Sequence, residues 1–463
     1  MKLKPEHLLL YAVTDRGCLG NMSLPEQVKC AISGGATMVQ LREKSLSEED
    51  FEAEAREILS LCRSYGVPLI INDNVSLAKR IGADGVHVGQ DDMAPEEARR
   101  ILGDDAIIGV TAKTVEQAKK AERASADYLG CGAVFGSLTK PGAIKLDHDV
   151  LRQITQSVSI PVVAIGGIHR ANMGRLLGLG MKGFAVVSGI FHAEDIEMET
   201  RLLREKADEV LRDEALFKAV EHRHPLVQCI TNLVTAGDCA NALLAIGASP
   251  TMAHHPEEME DFAQVIDALV WNMGATEALP AIWASAKYKK EGLPIVLDPV
   301  GCSTSSFRRK EALRLIAEAK PLCIRGNGAE IRSLAEGISL GGGVDATGRN
   351  TLKDNIASAC HLSNESGALV IATGEVDVLA YKGESLLIDG GSPLFKRLTG
   401  AGCMLSALLG AFLCVEPSLQ GAGACCRLLA RCGERAEETL QKEHKGMGTF
   451  HVALFDELSL FFL

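Results

Sequence analysis

Leu398-Thr399-Gly400-Ala401-Gly402-Cys403 precede an apolar run from Met404 to Val415 in which Leu405, Leu408, Leu409 and Phe412 recur at helical spacing. The pattern predicts a helix that opens near Cys403, with two glycines and an alanine just ahead of its N-terminus. Unpaired backbone N–H groups and the positive end of the helix dipole meet at such a place, which suits a phosphate or an anionic transition state. A cysteine in the first turn is expected to have a depressed pKa and hence more thiolate. The chemistry that fits is phosphoryl transfer with Cys403 as base. A tight turn followed by an inert buried thiol would use the same residues, so the rest of the chain has to decide.

A second set of polar residues lies in the first half. Gln40, Arg42 and Lys44 alternate at period two, so all three can face one way. Asn72-Asp73 follow one apolar run, Gln90-Asp91-Asp92 the next, and Thr111 the one after. Ser137, Thr139 and Lys140 sit in a Gly/Pro-bounded loop; Gly166-Gly167 and Ser188-Gly189 close two further runs. An Asn-Asp pair after a strand also serves as an ordinary turn or cap. Two carboxylates on one rim beside Arg42, Lys44 and Lys140 fit Mg²⁺ bound to a diphosphate. Lys44 and Lys140 would neutralise a leaving diphosphate, and the Gly166-Gly167 and Ser188 backbone would hold a smaller phosphate.

The elements that must position these groups are regular. Apolar runs at Leu8–Val13, Met38–Leu41, Pro68–Ile71, Gly85–Val88, Ile107–Val110, Tyr128–Phe135, Pro161–Ile165 and Gly183–Val187 alternate with amphipathic stretches such as Glu48–Arg63 and Val115–Arg123. About eight βα units over ~200 residues predict a (β/α)8 TIM barrel, with every polar cluster at the carboxyl end of its strand. Ala193 to about Glu221 reads as the last barrel helix, with Leu202, Leu203, Val210 and Leu211 as its apolar face. His222-Arg223-His224-Pro225 then breaks it, and no Pro/Gly/Ser-rich linker follows. The domains are set at 1–214 and 222–463, held at a fixed distance by the short connection. His222 and His224 have metal-pair spacing but read as solvated linker residues.

The second half repeats the logic with an open, largely parallel α/β sheet. Strands at Leu226–Ile230, Ala268–Trp271, Pro294–Leu297, Leu322–Ile324 and Leu369–Ala372 end at Thr231-Asn232, Asn272-Met273-Gly274, Asp298-Pro299, Arg325-Gly326-Asn327 and Thr373-Gly374. Asp298 and Glu330 are candidates to hold Mg²⁺ on ATP phosphates, in part through waters. Arg325 and Thr373 would touch phosphate oxygens, and Gly400–Cys403 would stabilise the phosphoryl group in transit. His254-His255 read as surface or rim residues, Gly341–Asp345 as a turn, and Cys425-Cys426 as helix core.

Composition bounds the function. The 463 residues are 47% hydrophobic and 23% charged, ample for two large cores in an ordinary globular chain. A net charge of −12 argues against a general nucleic-acid binder. Fourteen cysteines without zinc-type pairing read as reduced thiols of a cytoplasmic protein. No signal peptide or membrane span is expected.

Val39-Gln40-Leu41-Arg42-Glu43-Lys44, Ile71-Asn72-Asp73, Gly82 to Asp92, Thr139-Lys140 and Ile165-Gly166-Gly167-Ile168 resemble thiamin-phosphate synthase over roughly 5–210. The resemblance implies Mg²⁺-dependent joining of hydroxymethylpyrimidine diphosphate to thiazole phosphate. It places the pyrimidine on Gln40 to Lys44, Asn72, Thr111 and Lys140, with Gln90 as a further contact. It places Mg²⁺ on Asp73 and Asp92, and thiazole phosphate on Ser137 to Thr139, Gly167, Val187 and Ser188. Lys140 and Arg42 are the catalytic candidates. Ser137 and Thr111 stand where the family usually has Thr and Ser, which keeps a hydroxyl at each. A related thiazole tautomerase shares the barrel, but the Asn-Asp and Gln-Asp-Asp motifs favour the synthase.

Ile230-Thr231-Asn232, Gly247 to Ala253, Leu297 to Gly301, Arg325 to Ile331, Thr373 to Asp377 and Thr399 to Cys403 resemble hydroxyethylthiazole kinase, of the ribokinase-like fold, over roughly 222–460. The resemblance implies that Asn232, Val234, Met252 and Gly400 line a thiazole-alcohol site and that Arg325, Asn327 and Thr373 serve ATP. Cys403 then takes the place of the Asp that most ribokinase-like enzymes use as base. The resemblance also implies a homo-oligomer, trimer or hexamer, built through the kinase half. The expected whole is a bifunctional enzyme of thiamin-phosphate synthesis with small-molecule partners. The alternatives are a catalytically silent half that only binds thiazoles or assembles the oligomer, and a kinase for the pyrimidine alcohol.

Overall fold

The structure, a computed structural model, describes residues 2–18, 20, 22–136, 145–340 and 351–462. Ser137, Thr139, Lys140 and the Gly341–Asp345 turn therefore lie outside the described residues. The chain divides into two compact units, Met1–Glu214 and Ala215–Leu463. The division falls inside one continuous helix, Ile196–Arg223, so the helix expected to stop at about Glu221 runs two residues further. It ends where His224 turns to φ 47° ahead of Pro225, which has no N–H to continue a helix. The His224 ring nitrogen Nδ1 is bonded to the Gly247 carbonyl oxygen at 2.8 Å. His222 sits in the last helical turn.

The first unit is a closed parallel barrel. Its strands are β1 Leu10–Val13, β2 Met38–Leu41, β3 Leu69–Asn72, β4 Gly85–Val88, β5 Ile107–Ala112, β6 Tyr128–Gly132, β7 Val162–Ile165 and β8 Gly183–Val186. They pair in sequence order, and β8 closes on β1 with Tyr11 beside Ala185. Both faces of each strand are covered, which is why they read as short continuous apolar runs. The helix Glu48–Tyr65 shows the packing code: Phe51, Ala55, Ile58, Leu59 and Cys62 form its buried stripe, and Ser47 caps it by accepting from the Asp50 N–H. Closure brings backbones too close for side chains at some positions. A Cβ at Gly183 would lie 1.7 Å from the Leu8 carbonyl oxygen, and one at Gly85 2.0 Å from that of Ile107.

The second unit has one eight-stranded sheet. Its strands are β9 Leu226–Ile230, β10 Ser249–Thr251, β11 Ala268–Asn272, β12 Ile295–Asp298, β13 Cys323–Asn327, β14 Leu369–Thr373, β15 Val376–Tyr381 and β16 Glu384–Asp389, in the order β10-β9-β11-β12-β13-β14-β15-β16. The first six are parallel, and β15 and β16 are antiparallel. Val376-Asp377, expected in a loop after the fifth predicted strand, instead begin β15. The hairpin was readable: Lys382-Gly383 joins paired Tyr381 and Glu384, and both turn residues have positive φ (49° and 84°).

The chain turns outward from β9 to β10 and then returns to lay β11 on the other side of β9. That reversal creates a crevice at the carboxyl ends of β9 and β11. The helix Ala401–Val415 is buried along almost its whole length and packs on β9, β11 and β12. Gly410 lets it approach, since a Cβ there would lie 2.9 Å from the Val227 side chain. The helix opens at Ala401, two residues before the expected start, because Gly400 takes the left-handed conformation (φ 82°) at the N-cap. Cys425 and Cys426 are buried in the helix Leu419–Glu443.

Gly183→Ala is expected to destabilise the barrel by about 3 kcal/mol, the upper range for overpacking, because the new methyl meets backbone that cannot move aside. Hydrogen–deuterium exchange of β1 and β8 amides across a denaturant titration would read the loss, since both tryptophans, Trp271 and Trp283, lie in the second unit. An unchanged midpoint would show that β8 and the Leu8 backbone are not held at this distance.

Candidate active sites

In the barrel unit the polar rim anticipated from strand ends encloses a cavity of about 180 Å³. Gln40, Arg42, Asn72, Thr111, Gly167, Val187 and Ser188 line it, as expected. Gln90 does not: it is exposed, and its Nε2 donates to the Thr111 carbonyl oxygen at 2.6 Å, fastening the loop after β4 to β5. Its amide is spent on backbone, which the sequence position could not reveal. Glu43 fixes the loop that carries Lys44: it accepts from the backbone N–H of Lys44 and Ser45 and pairs with Arg16. Those bonds hold the Glu43 carboxyl down at about 2 even though burial opposes them.

Asp73 follows β3 in a left-handed conformation (φ 60°) and accepts from Asn72 Nδ2 at 2.6 Å. Asp92 follows β4 and accepts from the Gly89 N–H at 2.7 Å. Burial raises the Asp73 pKa, and Asp92, close enough to share a hydrogen bond, raises it further; Lys44 works against both. Two hard-oxygen carboxyls pressed together in this way fit a divalent cation. A cation held there would neutralise negative charge on a ligand at the rim.

The sequence reading missed the floor of this cavity. Tyr11, His87 and Tyr128 point into the barrel from β1, β4 and β6. Burial holds the His87 pKa down at about 4, so its ring is neutral. Room for the two rings comes from glycines: a Cβ at Gly109 would lie 2.1 Å from Tyr128 Cζ, and one at Gly130 2.9 Å from His87 Cε1. The available signal was alternation, since Val86 and Val88 flank His87 in a strand and place it on the opposite face.

In the second unit, polar side chains converge on the crevice. Asn232 after β9 and Asn272 at the end of β11 stand on either side of the switch point, 3.4 Å apart. Asn272 Nδ2 lies 3.1 Å from Cys403 Sγ and 3.3 Å from Asp298 Oδ2. Ser406, one turn along the helix from Cys403, donates to Asp298 Oδ2 at 2.8 Å. The Arg325 guanidinium lies 3.7 Å from the same oxygen and donates to Thr373 Oγ1 at 2.8 Å. Asn272 and Ser406 are thus site residues that the motifs did not single out. Gly402 has a packing reason: a Cβ there would sit 2.3 Å from Arg325 Nη1. Gly400 has two, its positive φ and Thr235, whose methyl would lie 2.6 Å from a Cβ.

The expectation of a depressed Cys403 pKa is overturned. Burial raises it, Asp298 raises it further, and the nearby Thr235 hydroxyl, the hydrogen bond from Asn272 and the charge of Arg325 recover only part. The thiol stands at the helix N-terminus, but it is buried there and faces the Asp298 carboxylate. Asp298 itself is fully buried and pushed up to about 6, chiefly by burial and by Glu330, with Arg325 pulling it down. Its Oδ1 has no hydrogen-bond partner among the described residues. An orphaned carboxylate oxygen with Glu330 in the same field fits a cation such as Mg²⁺. Glu330 is already engaged, accepting from the Gly301 and Asn327 N–H groups at 2.8 and 2.9 Å. Asn327 Oδ1 caps the helix Gly328–Leu340 by accepting from the Ala329 and Glu330 N–H groups. Val234 is 78% exposed, and Met252 lies beyond β10 near His254. Among the described residues, no group of three or more His, Cys, Asp or Glu has metal-holding geometry.

Comparison with known proteins follows the same division. Residues 10–190 match the family model described as "Thiamine monophosphate synthase", and 217–462 the "Hydroxyethylthiazole kinase family". A "Probable thiamine biosynthetic bifunctional enzyme" of Schizosaccharomyces pombe is 32% identical over 486 residues, covering 97% of this chain and 94% of the relative. The "Thiamine biosynthetic bifunctional enzyme" of Saccharomyces cerevisiae is 31% identical over 518 residues with the same coverage. The chain belongs to the bifunctional thiamine biosynthetic enzymes. A "Thiamine-phosphate synthase" of Clostridium novyi, 46% identical over 198 residues, spans 42% of this chain and 96% of its own length. The synthase unit is thus the barrel and the kinase unit the eight-stranded sheet.

Gly402→Ala is expected to displace Arg325 and lower kinase turnover by at least about tenfold, the effect of losing one charged contact to a transferring phosphoryl group. Steady-state phosphorylation assays would read it. Full activity would mean that Arg325 need not lie against the helix start.

Proposed function

We propose that this chain carries out two consecutive reactions: ATP-dependent phosphorylation of 4-methyl-5-(2-hydroxyethyl)thiazole, then condensation of the thiazole phosphate with hydroxymethylpyrimidine diphosphate to give thiamin phosphate and diphosphate. The observation that carries the reading is a polar constellation at the strand ends of each unit, the Gln40, Arg42, Asn72 and Thr111 rim with the Asp73–Asp92 pair in the barrel and the Asn272–Asp298–Cys403–Arg325 cluster in the crevice of the sheet.

In the kinase unit, Asn232 and Asn272 orient the alcohol beside Cys403 Sγ. Cys403 takes the alcohol proton as the oxygen attacks the γ-phosphorus of ATP and ADP leaves. Arg325 and the backbone N–H groups of the Ala401–Val415 helix start stabilise the charge on the phosphoryl group in transit. Asp298 and Glu330 hold the nucleotide's cation. In the synthase unit, Arg42 and Lys44 receive the diphosphate as its C–O bond breaks and the C–N bond to the thiazole forms. Gly167 and Ser188 hold the thiazole phosphate, and Asp73 and Asp92 hold Mg²⁺. Lys140 is assigned to the leaving diphosphate from its motif.

Leu233 and Val234, each 78% exposed beside Asn232, support completion of the kinase site by another copy of the chain in a trimer or hexamer. None of the fourteen cysteines is in a disulfide, which supports a reducing, cytoplasmic setting. No helix among the described residues is long and apolar enough to cross a membrane.

The pure protein given thiazole alcohol, ATP, Mg²⁺ and hydroxymethylpyrimidine diphosphate should yield thiamin phosphate by mass. Thiazole phosphate alone would reject the synthase assignment and leave the kinase standing. Thiamin phosphate formed only from preformed thiazole phosphate would mark the kinase half as silent or as a kinase for the pyrimidine alcohol.

Because the Cys403 thiol is protonated at rest and must lose its proton to act, kinase kcat/KM should climb with pH from 7 to 9, about tenfold per unit below the thiol pKa. Cys403→Asp should retain turnover and flatten that slope. A wild-type profile already flat across this range, or a large loss in the Asp variant, would remove Cys403 from the base role.

A further inference from the structure

Five side chains on the barrel floor form one continuous chain of hydrogen bonds. Gln40 Nε2 donates to the Tyr11 hydroxyl at 2.7 Å. The Tyr11 and Tyr128 hydroxyls are 2.9 Å apart. Tyr128 meets His87 Nδ1 at 3.0 Å, and His87 Nε2 meets Thr111 Oγ1 at 3.0 Å. Gln40, Tyr11 and Tyr128 are 4%, 1% and 0% exposed, and all five residues line the cavity. Glycines at 109 and 130 clear the space for the rings, so the arrangement is built into the barrel rather than left by chance packing.

Proton counting gives such a chain a direction. Each hydroxyl has one proton, and an imidazole with one N–H donates from one nitrogen and accepts at the other. Gln40 donates to Tyr11, so the Tyr11 proton goes to Tyr128, and that of Tyr128 to His87 Nδ1. His87 then carries its proton on Nε2 and gives it to Thr111 Oγ1. The Thr111 hydroxyl proton is left for the cavity, while Gln40, with its amino edge turned to Tyr11, offers Oε1. Turning the amide over reverses every bond and both ends together. Any mixed state leaves a buried donor or acceptor unmatched, at a cost of about 1–3 kcal/mol.

We propose that Tyr11, Tyr128 and His87 are positioning residues that lock Gln40 and Thr111 into opposite hydrogen-bonding roles, so that the cavity selects a heteroaromatic ring presenting one donor and one acceptor. The proposal rests on the synthase reading above, under which that ring is the aminopyrimidine of the diphosphate substrate, with its exocyclic amine and ring nitrogen. The relay acts through Gln40 and Thr111 and does not touch the bonds that break and form.

The test is a double-mutant cycle in the full chain. Tyr11→Phe and Thr111→Val remove one hydroxyl from each side of the Tyr128–His87 pair and keep the packing. Each should lower synthase kcat/KM for hydroxymethylpyrimidine diphosphate about tenfold, the cost of one broken buried bond. The pair together should also lose about tenfold, because the second change acts on a chain already cut, whereas independent sites would lose about a hundredfold. KM for thiazole phosphate should stay constant throughout. Tyr128→Phe should match the single variants, and adding Tyr11→Phe or Thr111→Val to it should cost little more; if it melts at assay temperature, the first cycle decides alone. Multiplying effects in an otherwise active enzyme overturn the relay and leave the synthase reading intact. A wild-type chain that makes no thiamin phosphate overturns that reading and the relay with it.

Discussion

Both units depend on one constraint: a parallel strand covered on both faces can put its polar chemistry only at its ends. Along β1 to β8 and β9 to β14 the strand interiors are mostly Val, Ile, Leu and Ala, and the candidate functional side chains emerge toward the carboxyl ends, at the last residue (Asn72, Asn272, Asp298, Thr373) or shortly before it (Gln40, Thr111, Arg325). Gln40, Asn72 and Thr111 obey this in the barrel, and Asn272, Asp298, Arg325 and Thr373 obey it in the sheet. Barrel closure and sheet reversal then bring ends that are far apart in sequence into one space. His87 and the two tyrosines are the exception, polar groups inside the barrel, and they are tolerated because each finds partners there.

Electrostatic balance in the two sites is set by burial more than by local sequence. In the kinase unit a fully buried carboxylate, Asp298, is stabilised by Arg325 and Ser406 and opposed by Glu330. Burial raises the neighbouring Cys403 thiol and that same carboxylate raises it further, the opposite direction from the one expected of a cysteine at a helix start. In the synthase unit Asp73 and Asp92 are held together against their mutual repulsion, with Lys44 near. Each site thus holds carboxylates against one another, a repulsion that a bound cation would relieve.

Glycine explains how tightly these sites are assembled. Gly402 yields its side-chain space to the Arg325 guanidinium, and Gly109 and Gly130 yield theirs to Tyr128 and His87. At each of these positions the absence of a side chain has a steric reason. The full-length similarity to the yeast enzymes fits a chain in which both sites are kept together.

By itself the sequence determined the two α/β classes, nearly all strand positions, and most of the rim residues, because period-two and helical patterns follow directly from local geometry. Its motifs drew attention to Asp73, Asp92, Asp298 and Cys403 as candidates. It did not determine that Gln90 is spent on backbone, that Val376–Tyr381 continues the sheet, or that Cys403 is a reluctant acid. Nor did it show Ser406 against Asp298 or the Tyr11–Tyr128–His87 chain. Those outcomes turn on distances between residues more than a hundred positions apart in several cases, and on how far water is excluded around them. No local pattern encodes either quantity, so only the tertiary structure decided them.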